Sequence, residues 1–509
     1  MISKSLPGRI GLIIGPVLFL FIIFFPIPQI NELTFEAKIV LATTALMAAW
    51  WITEAIPIYV TALLPLVLFP SLYVTSIGGT STSYADRVVF LFLGGFLLAK
   101  AVEKSNLHTR FALHILSIFG TDPKYVVAGF ILVTGLLSAW LSNTATAMLM
   151  LPIASAVISQ IQNKNDRNRF AVCILLSIAY SASIGGMATL IGTPPNAIFA
   201  SISKSTLDLD VSFGQWLAIG LPISGISLLV LWLYITRLGV KITYIKSIMG
   251  DVNLVKKKLS GLGKLSRDEK IVACIFIATA IAWITRGLLW KDLFPAIDDS
   301  TIVLVAAISL FLLPSSRSKS LKNNNNDLKD TKKENDIEES DNNNDIKNNN
   351  EKILDWNTAV EIPWGVLILI GGGLALANAF MTTGLDDWIA TQLGFLAGMP
   401  LIVIILVLVT VAILSSEIIS NTAAAALLIP IAASLATTID INPMLLMVPL
   451  TIATSYGFIM PVGTPPNAIV FATGHVRASR MARVGLPLDI IGIVLVTVLA
   501  SILVPLVWK

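Results

Sequence analysis

Apolar segments of about 20 residues, the length that crosses a lipid bilayer, recur along the whole chain. Examples are the runs 10–27, 217–235 and 484–507. A helix satisfies its own backbone hydrogen bonds inside lipid, so such runs are typical of membrane-spanning helices. Charged residues make up only 13% of the chain and hydrophobic residues 55%, which excludes a water-soluble globular protein. The sequence therefore predicts an all-α polytopic protein embedded in the lipid bilayer of the cell membrane.

The apolar windows predict about eleven transmembrane helices. Other apolar segments are too short or too interrupted to cross alone, which makes them candidates for re-entrant hairpins and broken helices. These interrupted segments are 125–162, 193–202, 399–436 and 465–474. The predicted spans are 9–28, 36–54, 57–76, 88–104, 170–188, 214–239, 268–287, 299–314, 358–382, 443–458 and 484–507.

Residues 315–352 differ in composition from the rest of the chain. They include eleven Asn, many Lys, Asp and Glu, and few apolar side chains. Such a segment buries too little apolar surface to fold, so we predict a disordered cytosolic linker. Elsewhere the basic residues lie between the predicted spans rather than in one patch, which argues against nucleic acid as a partner.

Two parts of the chain repeat one another. The sequence SNTATAMLMLPIA at 142–154 matches SNTAAAALLIPIA at 420–432, and the heptapeptide GTPPNAI occurs at 192–198 and again at 463–469. Seven identical residues that include a Pro-Pro pair do not recur by chance, so the chain contains two related units. The predicted division is 1–87 (N-terminal transmembrane helices), 88–204 (first repeat unit), 205–314 (connecting transmembrane helices), 315–352 (linker), 353–476 (second repeat unit) and 477–509 (C-terminal transmembrane helix).

The charges of matching loops predict that the two units have inverted topologies. Loop 162–169 contains three basic residues, whereas its counterpart 437–442 contains none. The next pair of loops has the opposite bias, with one Lys and two Asp in 203–212 but three Arg in 477–483. Basic loops stay in the cytosol, so matching loops face opposite sides of the membrane. This topology predicts a cytosolic N-terminus and an external C-terminus.

Inverted units whose helices are interrupted by Gly and Pro are typical of alternating-access carriers. An interrupted helix leaves backbone groups that lipid cannot satisfy but a ligand can. Ser142 is placed to cap a helix, and helix N-termini attract anions, while Gly192 and Gly463 let carbonyl groups turn toward a cation. The motifs contain no Lys, Arg or His, so bound cations must neutralise a bound anion. Ligand sets made only of oxygen suit sodium ions, which we expect to be coupled to transport.

These paired motifs resemble those of the divalent anion:sodium symporter family, which includes carriers of di- and tricarboxylates and of sulfate. The resemblance covers essentially the whole chain. It implies a homodimeric secondary transporter, not an enzyme, that couples sodium to the symport of small dicarboxylates such as succinate, malate or fumarate. A sodium-independent dicarboxylate exchanger and a sulfate or citrate carrier remain alternatives. An intramembrane enzyme is disfavoured because the sequence contains no HExxH or GxSxG motif.

The resemblance also implies the site residues. In the family each Ser-Asn-Thr lies at a hairpin tip and lines both a sodium site and the substrate site, and a hydroxyl residue four positions earlier contributes to sodium. One sodium site would comprise Ser138, Ser142, Asn143 and the backbone of Gly192, and the other Ser416, Ser420, Asn421 and Gly463. The substrate carboxylates would contact Asn143, Thr144, Thr193, Asn421, Thr422, Thr464 and Pro465.

Glu417 lies next to Ser416 inside an apolar run. An acidic side chain is costly there and is usually functional. A role in proton coupling and a structural role at the base of the hairpin both remain open.

Overall fold

The described part of the chain is almost entirely helical. Its one element of another kind is an isolated antiparallel bridge between Pro314 and Lys352. The predicted all-α class is therefore confirmed. The computed structural model describes residues 6–25, 30, 32–242, 253–290, 293–316, 352–461 and 463–508.

Seven helices in these ranges are long and apolar enough to cross a membrane, and six shorter apolar helices of 10–17 residues accompany them. A short helix crosses only together with a neighbour, so the number of about eleven spans stays a prediction. The seven long helices are Phe35–Thr53, Lys164–Gly186, Phe213–Gly239, Trp364–Thr383, Leu401–Ile418, Asn421–Thr438 and Ala478–Val507.

Proline divides the predicted span 57–76. Two short helices, Ile58–Thr61 and Leu64–Ser71, replace it, with Pro57 and Pro65 at their starts. Proline lacks the backbone N–H that a continuing helix needs, so it begins helices rather than extending them. The helices that precede the first repeat unit are Leu6–Phe24, Phe35–Thr53, Ile58–Thr61, Leu64–Ser71 and Ile77–Tyr84.

The two repeat units have their helices in the same order. Each contains a long helix, a short helix, two helices of 16 to 18 residues, and then a helix that is interrupted before the Pro-Pro pair. The first unit contains Arg87–Lys104, Leu107–Leu116, Pro123–Ser138, Asn143–Ile158, Lys164–Gly186 and Pro194–Leu207. The second contains Trp356–Ala359, Trp364–Thr383, Leu385–Gln392, the 3₁₀ turn Gly394–Gly398, Leu401–Ile418, Asn421–Thr438, Met444–Ala453 and Pro465–Ala472.

The connecting and C-terminal helices complete the fold. Two of them end in a π-helical turn, at Ile235–Gly239 and at Arg286–Trp290. The remaining α-helices are Phe213–Tyr234, Asn253–Gly261, Arg267–Thr285, Asp299–Leu312 and Ala478–Val507.

Helix Lys164–Gly186 lies at the centre of the molecule. Within its most apolar 18-residue window 89% of the residues are buried, compared with 28% for helix Ala478–Val507. The central helix packs against both helices of the first hairpin and against Pro465–Ala472 of the second unit. The central helix therefore contacts both repeat units, whereas most residues in the apolar window of the C-terminal helix are at least partly exposed.

The two ends of the predicted linker 315–352 lie side by side. The Ser315 hydroxyl and the Ser316 backbone N–H donate hydrogen bonds of 2.6 and 2.7 Å to the carboxylate of Asp268. Lys352 pairs with Pro314 in the isolated bridge. The first two residues and the last residue of the predicted segment are thus ordered, and the prediction for 317–351 falls outside the described residues.

Candidate functional site

The two Ser-Asn-Thr segments lie at the tips of two helical hairpins. The first hairpin consists of helices Pro123–Ser138 and Asn143–Ile158, and the second of Leu401–Ile418 and Asn421–Thr438. At each tip the serine caps the following helix, because its hydroxyl accepts a hydrogen bond from the backbone N–H three residues later. Both capping bonds are 3.2 Å long, from Ala145 to Ser142 and from Ala423 to Ser420.

The two GTPPN segments follow interruptions in helices. The first break comprises residues 187–193, between helices Lys164–Gly186 and Pro194–Leu207, and the second comprises 454–461 and 463–464, after helix Met444–Ala453. The predicted span 443–458 was therefore too long, because its helix ends at Ala453. In both breaks the Pro-Pro pair begins the next helix, where a missing N–H costs nothing.

A buried asparagine that is not among the predicted site residues stabilises each break. Asn196 Nδ2 donates to the carbonyl oxygens of Gly186 (3.2 Å) and Thr189 (2.7 Å). Asn467 Nδ2 donates equivalently, to those of Gly457 (2.8 Å) and Met460 (3.0 Å). These bonds satisfy carbonyl groups that the missing helical turns leave free. The signal was present, since both asparagines belong to the repeated heptapeptide.

The tips and breaks of both units line one cavity of about 440 Å³. Small-molecule sites typically measure about 300–1,000 Å³. Every residue predicted to contact the substrate lines this cavity, as do the predicted sodium ligands apart from two serines that are fully buried behind it. The lining residues from the prediction are Ser142, Asn143, Thr144, Gly192, Thr193, Ser420, Asn421, Thr422, Gly463, Thr464 and Pro465, and the two buried residues are Ser138 and Ser416.

Behind the first tip, three oxygen atoms lie close together. The Ser138 hydroxyl oxygen is 2.6 Å from Asn143 Oδ1 and also 2.6 Å from the carbonyl oxygen of Ala182. A hydroxyl has one hydrogen, so it can donate to only one of these acceptors. Gly186 allows Asn143 Oδ1 and the carbonyl oxygen of Gly192 to lie close to the central helix. A Cβ atom on residue 186 would lie only 2.7 Å from Asn143 Oδ1 and 3.1 Å from that carbonyl oxygen. Such a cluster of oxygen atoms fits a hard cation such as sodium.

The second tip is built from the same residue types but has fewer hydrogen bonds between its oxygen atoms. The Ser416 hydroxyl donates to the carbonyl oxygen of Thr454 at 2.9 Å. Asn421 Oδ1 is buried and accepts no hydrogen bond from the described residues. An unpaired buried oxygen is costly, and a bound cation would satisfy it. The residues at both tips therefore fit the predicted sodium sites.

Glu417 stabilises the backbone of the second break. Its carboxylate accepts hydrogen bonds from the backbone N–H groups of Ile459 (2.8 Å) and Met460 (2.9 Å), and only 4% of its surface is exposed. The position that matches Glu417 in the first unit is Ala139, whose carbonyl oxygen accepts a hydrogen bond from the Thr189 hydroxyl. Of the two roles left open by the sequence, these contacts account for the structural one.

Charged side chains occur at one end of the cavity. Lys100 Nζ lies 2.8 Å from a carboxylate oxygen of Glu103 and 3.5 Å from one of Glu361. Glu361 is the most exposed of the three, with 65% of its side chain accessible, so the cavity opens at this end. Lys100 is the one basic residue among the described lining residues, and both of its neighbours are acidic.

One turn further along, Lys104 connects the two repeat units through an ion pair with Asp355. Partial burial acts to raise the pKa of Asp355, but the Lys104 ammonium group and the Thr358 backbone N–H outweigh it and hold the pKa below its usual value. The carboxylate therefore stays charged at neutral pH. This pair anchors helix Arg87–Lys104 beside the open end of the cavity.

Comparison with known proteins agrees with this architecture. Residues 9–508 match the family described as the sodium:sulfate symporter transmembrane region. The chain is 39% identical to the sodium-dependent dicarboxylate transporter SdcS of Staphylococcus saprophyticus, over 99% of this chain and 92% of that protein. It is 38% identical to SdcS of Staphylococcus aureus, over 98% and 91% of the two chains. The fold resembles that of Neisseria gonorrhoeae MtrF, with a TM-score of 0.55 at 13% identity over 93% of this chain and 95% of that one.

Proposed function

The chain belongs to the divalent anion:sodium symporter family, whose members are transporters and not enzymes, and on that premise we propose that it couples sodium to the symport of small dicarboxylates. The resemblance that the sequence motifs indicated is thereby confirmed. The observation that carries the proposal is the meeting of two hairpin tips and two helix breaks around one cavity. Inverted units that share a single site are suited to alternating access.

The lining of the cavity favours a substrate with two carboxylates. Each tip presents an amide and a hydroxyl, from Asn143 and Thr144 on one side and from Asn421 and Thr422 on the other. Two such pairs facing one space suit the two ends of a short dicarboxylate better than a compact anion such as sulfate. Succinate, malate and fumarate have the required chemistry, and the names of the SdcS proteins agree with this substrate class.

Sodium supplies the positive charge that the site lacks. The tips offer neutral hydroxyl, amide and carbonyl groups, and the one lysine of the cavity already contacts two glutamates. A dianion next to neutral groups in a low-dielectric interior is unstable unless cations are bound beside it. Transport of the anion then depends on sodium, because the substrate site reaches full affinity only when the adjacent cation sites are filled.

The positions of the basic loops support the proposed orientation. Arg169, Lys241 and Arg480 line one cavity, so the two loops with three basic residues each lie on the same side as the Lys-rich segment 241–270. Asn442 Nδ2 donates to the carbonyl oxygen of Trp508 at 3.1 Å, so Trp508 lies beside loop 437–442, which contains no basic residue. With basic loops in the cytosol, the N-terminus is inside and the C-terminus is outside.

In this orientation the substrate cavity opens toward the cytosol. Lys104 Nζ, close to the open end, donates to the carbonyl oxygen of Lys352 at 3.1 Å. In the next helix, Arg110 donates to the carbonyl oxygens of Leu262 and Gly263 in the Lys-rich segment. The conformation is therefore inward-facing.

Uptake of radiolabelled succinate by proteoliposomes tests the function. We expect accumulation above the external concentration when a sodium gradient points inward, and none when choline replaces sodium. Unlabelled malate and fumarate should compete, and sulfate and citrate should compete weakly. Equal uptake without sodium in vesicles loaded with succinate would instead establish an exchanger, and strong competition by sulfate or citrate would change the substrate class.

Cysteine labelling tests the topology. In a background with the exposed Cys274 changed to Ser, Asn165→Cys and Asp440→Cys should react with a membrane-impermeant maleimide from opposite faces. Ser479→Cys is a matched control that should label from the same face as Asn165→Cys. Labelling of positions 165 and 440 from one face would contradict the inverted repeat and alternating access with it.

We also propose that the protein is a homodimer, on the family resemblance. Chemical cross-linking in native membranes followed by denaturing electrophoresis should give a dimer band that does not depend on expression level. A monomer alone would contradict it.

A further inference from the structure

A second cavity, of about 880 Å³, lies away from the substrate site and is rich in basic side chains. It is built from three separate parts of the chain: the start of helix Lys164–Gly186, the end of the π-helical turn Ile235–Gly239, and the start of helix Ala478–Val507. The basic residues that line it are Arg169, Lys241, Arg477, Arg480, Arg483 and the histidine His475.

These charges are not neutralised by the described part of the protein. None of the described residues that line the cavity is acidic, and none of its five Lys and Arg side chains forms an ion pair with a described residue. Arg480 donates one hydrogen bond, of 3.3 Å, to the carbonyl oxygen of Gly239. Five like charges around one concave space repel one another, and an anion in the cavity would relieve the repulsion.

The cavity lies where membrane-spanning helices meet the aqueous phase. The three helices that form it are all long and apolar enough to cross a bilayer. Apolar side chains continue from its wall, namely Val172 and Leu238, and 68% of the Leu238 surface is exposed. A ligand here can therefore place an anionic group among the basic side chains and an apolar group against the helices.

We propose that this cavity binds the phosphate-bearing head group of an anionic phospholipid. Arginine guanidinium groups bind phosphate oxygens in a bidentate manner, and basic pockets between helices on the cytosolic side suit lipid head groups. The exposed apolar rim provides contacts for acyl chains, which a free phosphate or a dicarboxylate cannot use. This inference does not depend on the proposed transport activity, since the cavity shares no lining residue with the substrate site.

The first test measures lipid binding by the purified wild-type protein. After delipidation in detergent, the protein is titrated with phosphatidylglycerol or phosphatidylcholine, and bound lipid is counted by native mass spectrometry. We expect one phosphatidylglycerol to bind with at least tenfold preference over phosphatidylcholine and to resist millimolar inorganic phosphate. Equal binding of the two lipids would overturn the proposal, and so would displacement by inorganic phosphate, which would identify a free anion as the ligand.

The second test compares two variants with the same change in charge. Arg169→Gln, Lys241→Gln and Arg480→Gln together remove three charges from the cavity. Lys256→Gln, Lys257→Gln and Lys258→Gln remove three exposed charges from helix Asn253–Gly261, outside the cavity. One basic residue contributes about fivefold to the binding of an anionic lipid, so the cavity variant should bind phosphatidylglycerol about 100-fold more weakly.

The control variant should keep the wild-type affinity to within about fivefold, which is the effect of a single basic residue. Equal losses of phosphatidylglycerol affinity in both variants would show general attraction to a basic surface and would overturn the proposed lipid site. The variants are compared only if they elute as single symmetrical peaks in size-exclusion chromatography. If the cavity variant does not, the wild-type lipid preference decides the proposal.

Discussion

The two repeat units contain the same motifs, but they stabilise their broken helices by different means. In the first unit the central helix runs for 23 residues to Gly186, and the break is joined to the hairpin by the Thr189 hydroxyl. In the second unit the helix ends after 10 residues at Ala453, and a buried carboxylate, Glu417, accepts two backbone N–H groups. Two sites with related sequences are therefore not equivalent, and each needs its own test.

The same difference extends to the proposed sodium sites. At the first tip the Ser138 hydroxyl contacts both Asn143 Oδ1 and a carbonyl oxygen, so the ligands already lie close together. At the second tip Asn421 Oδ1 accepts no hydrogen bond from the described residues. The first site is more nearly preorganised, whereas the second carries an unsatisfied oxygen until a ligand binds. We expect mutations at the two tips to differ in their effect on the ligand-free protein.

The largest difference in stability between the two units should come from substituting the side chains that stabilise the helix breaks. Glu417→Ala removes the carboxylate that accepts hydrogen bonds from the backbone N–H groups of Ile459 and Met460, at a cost of about 1–3 kcal/mol each, or about 2–6 kcal/mol in all. Thr189→Val removes one hydrogen bond and should cost only about 1–3 kcal/mol. Thermal unfolding in detergent should therefore show a larger drop in midpoint for Glu417→Ala.

The comparison needs a control for a second buried acid. Asp489 is buried and interacts with Glu417, so removing Glu417 also removes the interaction between two carboxyl groups. Both substitutions should be made in an Asp489→Asn background, which removes that contribution. An equal drop in unfolding midpoint for the two variants would mean that Glu417 does no more for its break than Thr189 does.

The next-largest expected effect is a loss of ligand affinity on substituting the asparagines that we propose to contact both sodium and substrate. Asn143→Ala and Asn421→Ala should each weaken the apparent affinity for sodium and for succinate by about 5- to 150-fold, because partners worth about 1–3 kcal/mol are left unpaired. Each affinity is measured by uptake at saturating concentration of the other ligand. Wild-type dependence on both ligands in both variants would refute the shared site.

The ligand-free proteins then separate the two tips. Asn143→Ala also removes the contact with Ser138, so its unfolding midpoint without sodium should fall below that of Asn421→Ala. The serine and threonine hydroxyls near these asparagines should separate the effects on sodium binding from those on succinate binding.

Ser138→Ala and Ser416→Ala should weaken sodium more than succinate, by about fivefold for a contribution of about 1 kcal/mol. Thr144→Ala and Thr422→Ala should do the reverse, because these threonines line the substrate cavity. Since Ser138 contacts two oxygen atoms and Ser416 one, the sodium effect should be larger at the first tip. Equal losses for sodium and succinate in all four variants would rule out separate roles.

The smallest effect should follow deletion of residues 320–350. Pro314 and Lys352 already pair, so the shortened connection can close without moving either helix. Succinate uptake per molecule and the unfolding midpoint should both match the full-length protein. A loss of folded protein would show that the segment packs against the helices.

Local patterns were predictable from the sequence. Apolar length predicted the membrane helices, and the repeated heptapeptide located the breaks because proline and glycine act on the backbone at their own positions. The serine cap at the first tip followed for the same reason, since it depends on an N–H group only three residues away. The residues that we propose to contact the substrate could also be named, because the two motifs that supply them are repeated almost unchanged, and the structure brings them to one cavity.

Contacts between distant segments were decided only by the tertiary structure. The sequence placed an acidic residue beside Ser416, but only packing showed that Glu417 holds backbone groups 42 and 43 residues away. The shared cavity joins tips and breaks from both units, and the basic cavity joins three separate segments of the chain. Composition and spacing describe residues that are close in the sequence, whereas these sites depend on which helix faces pack together.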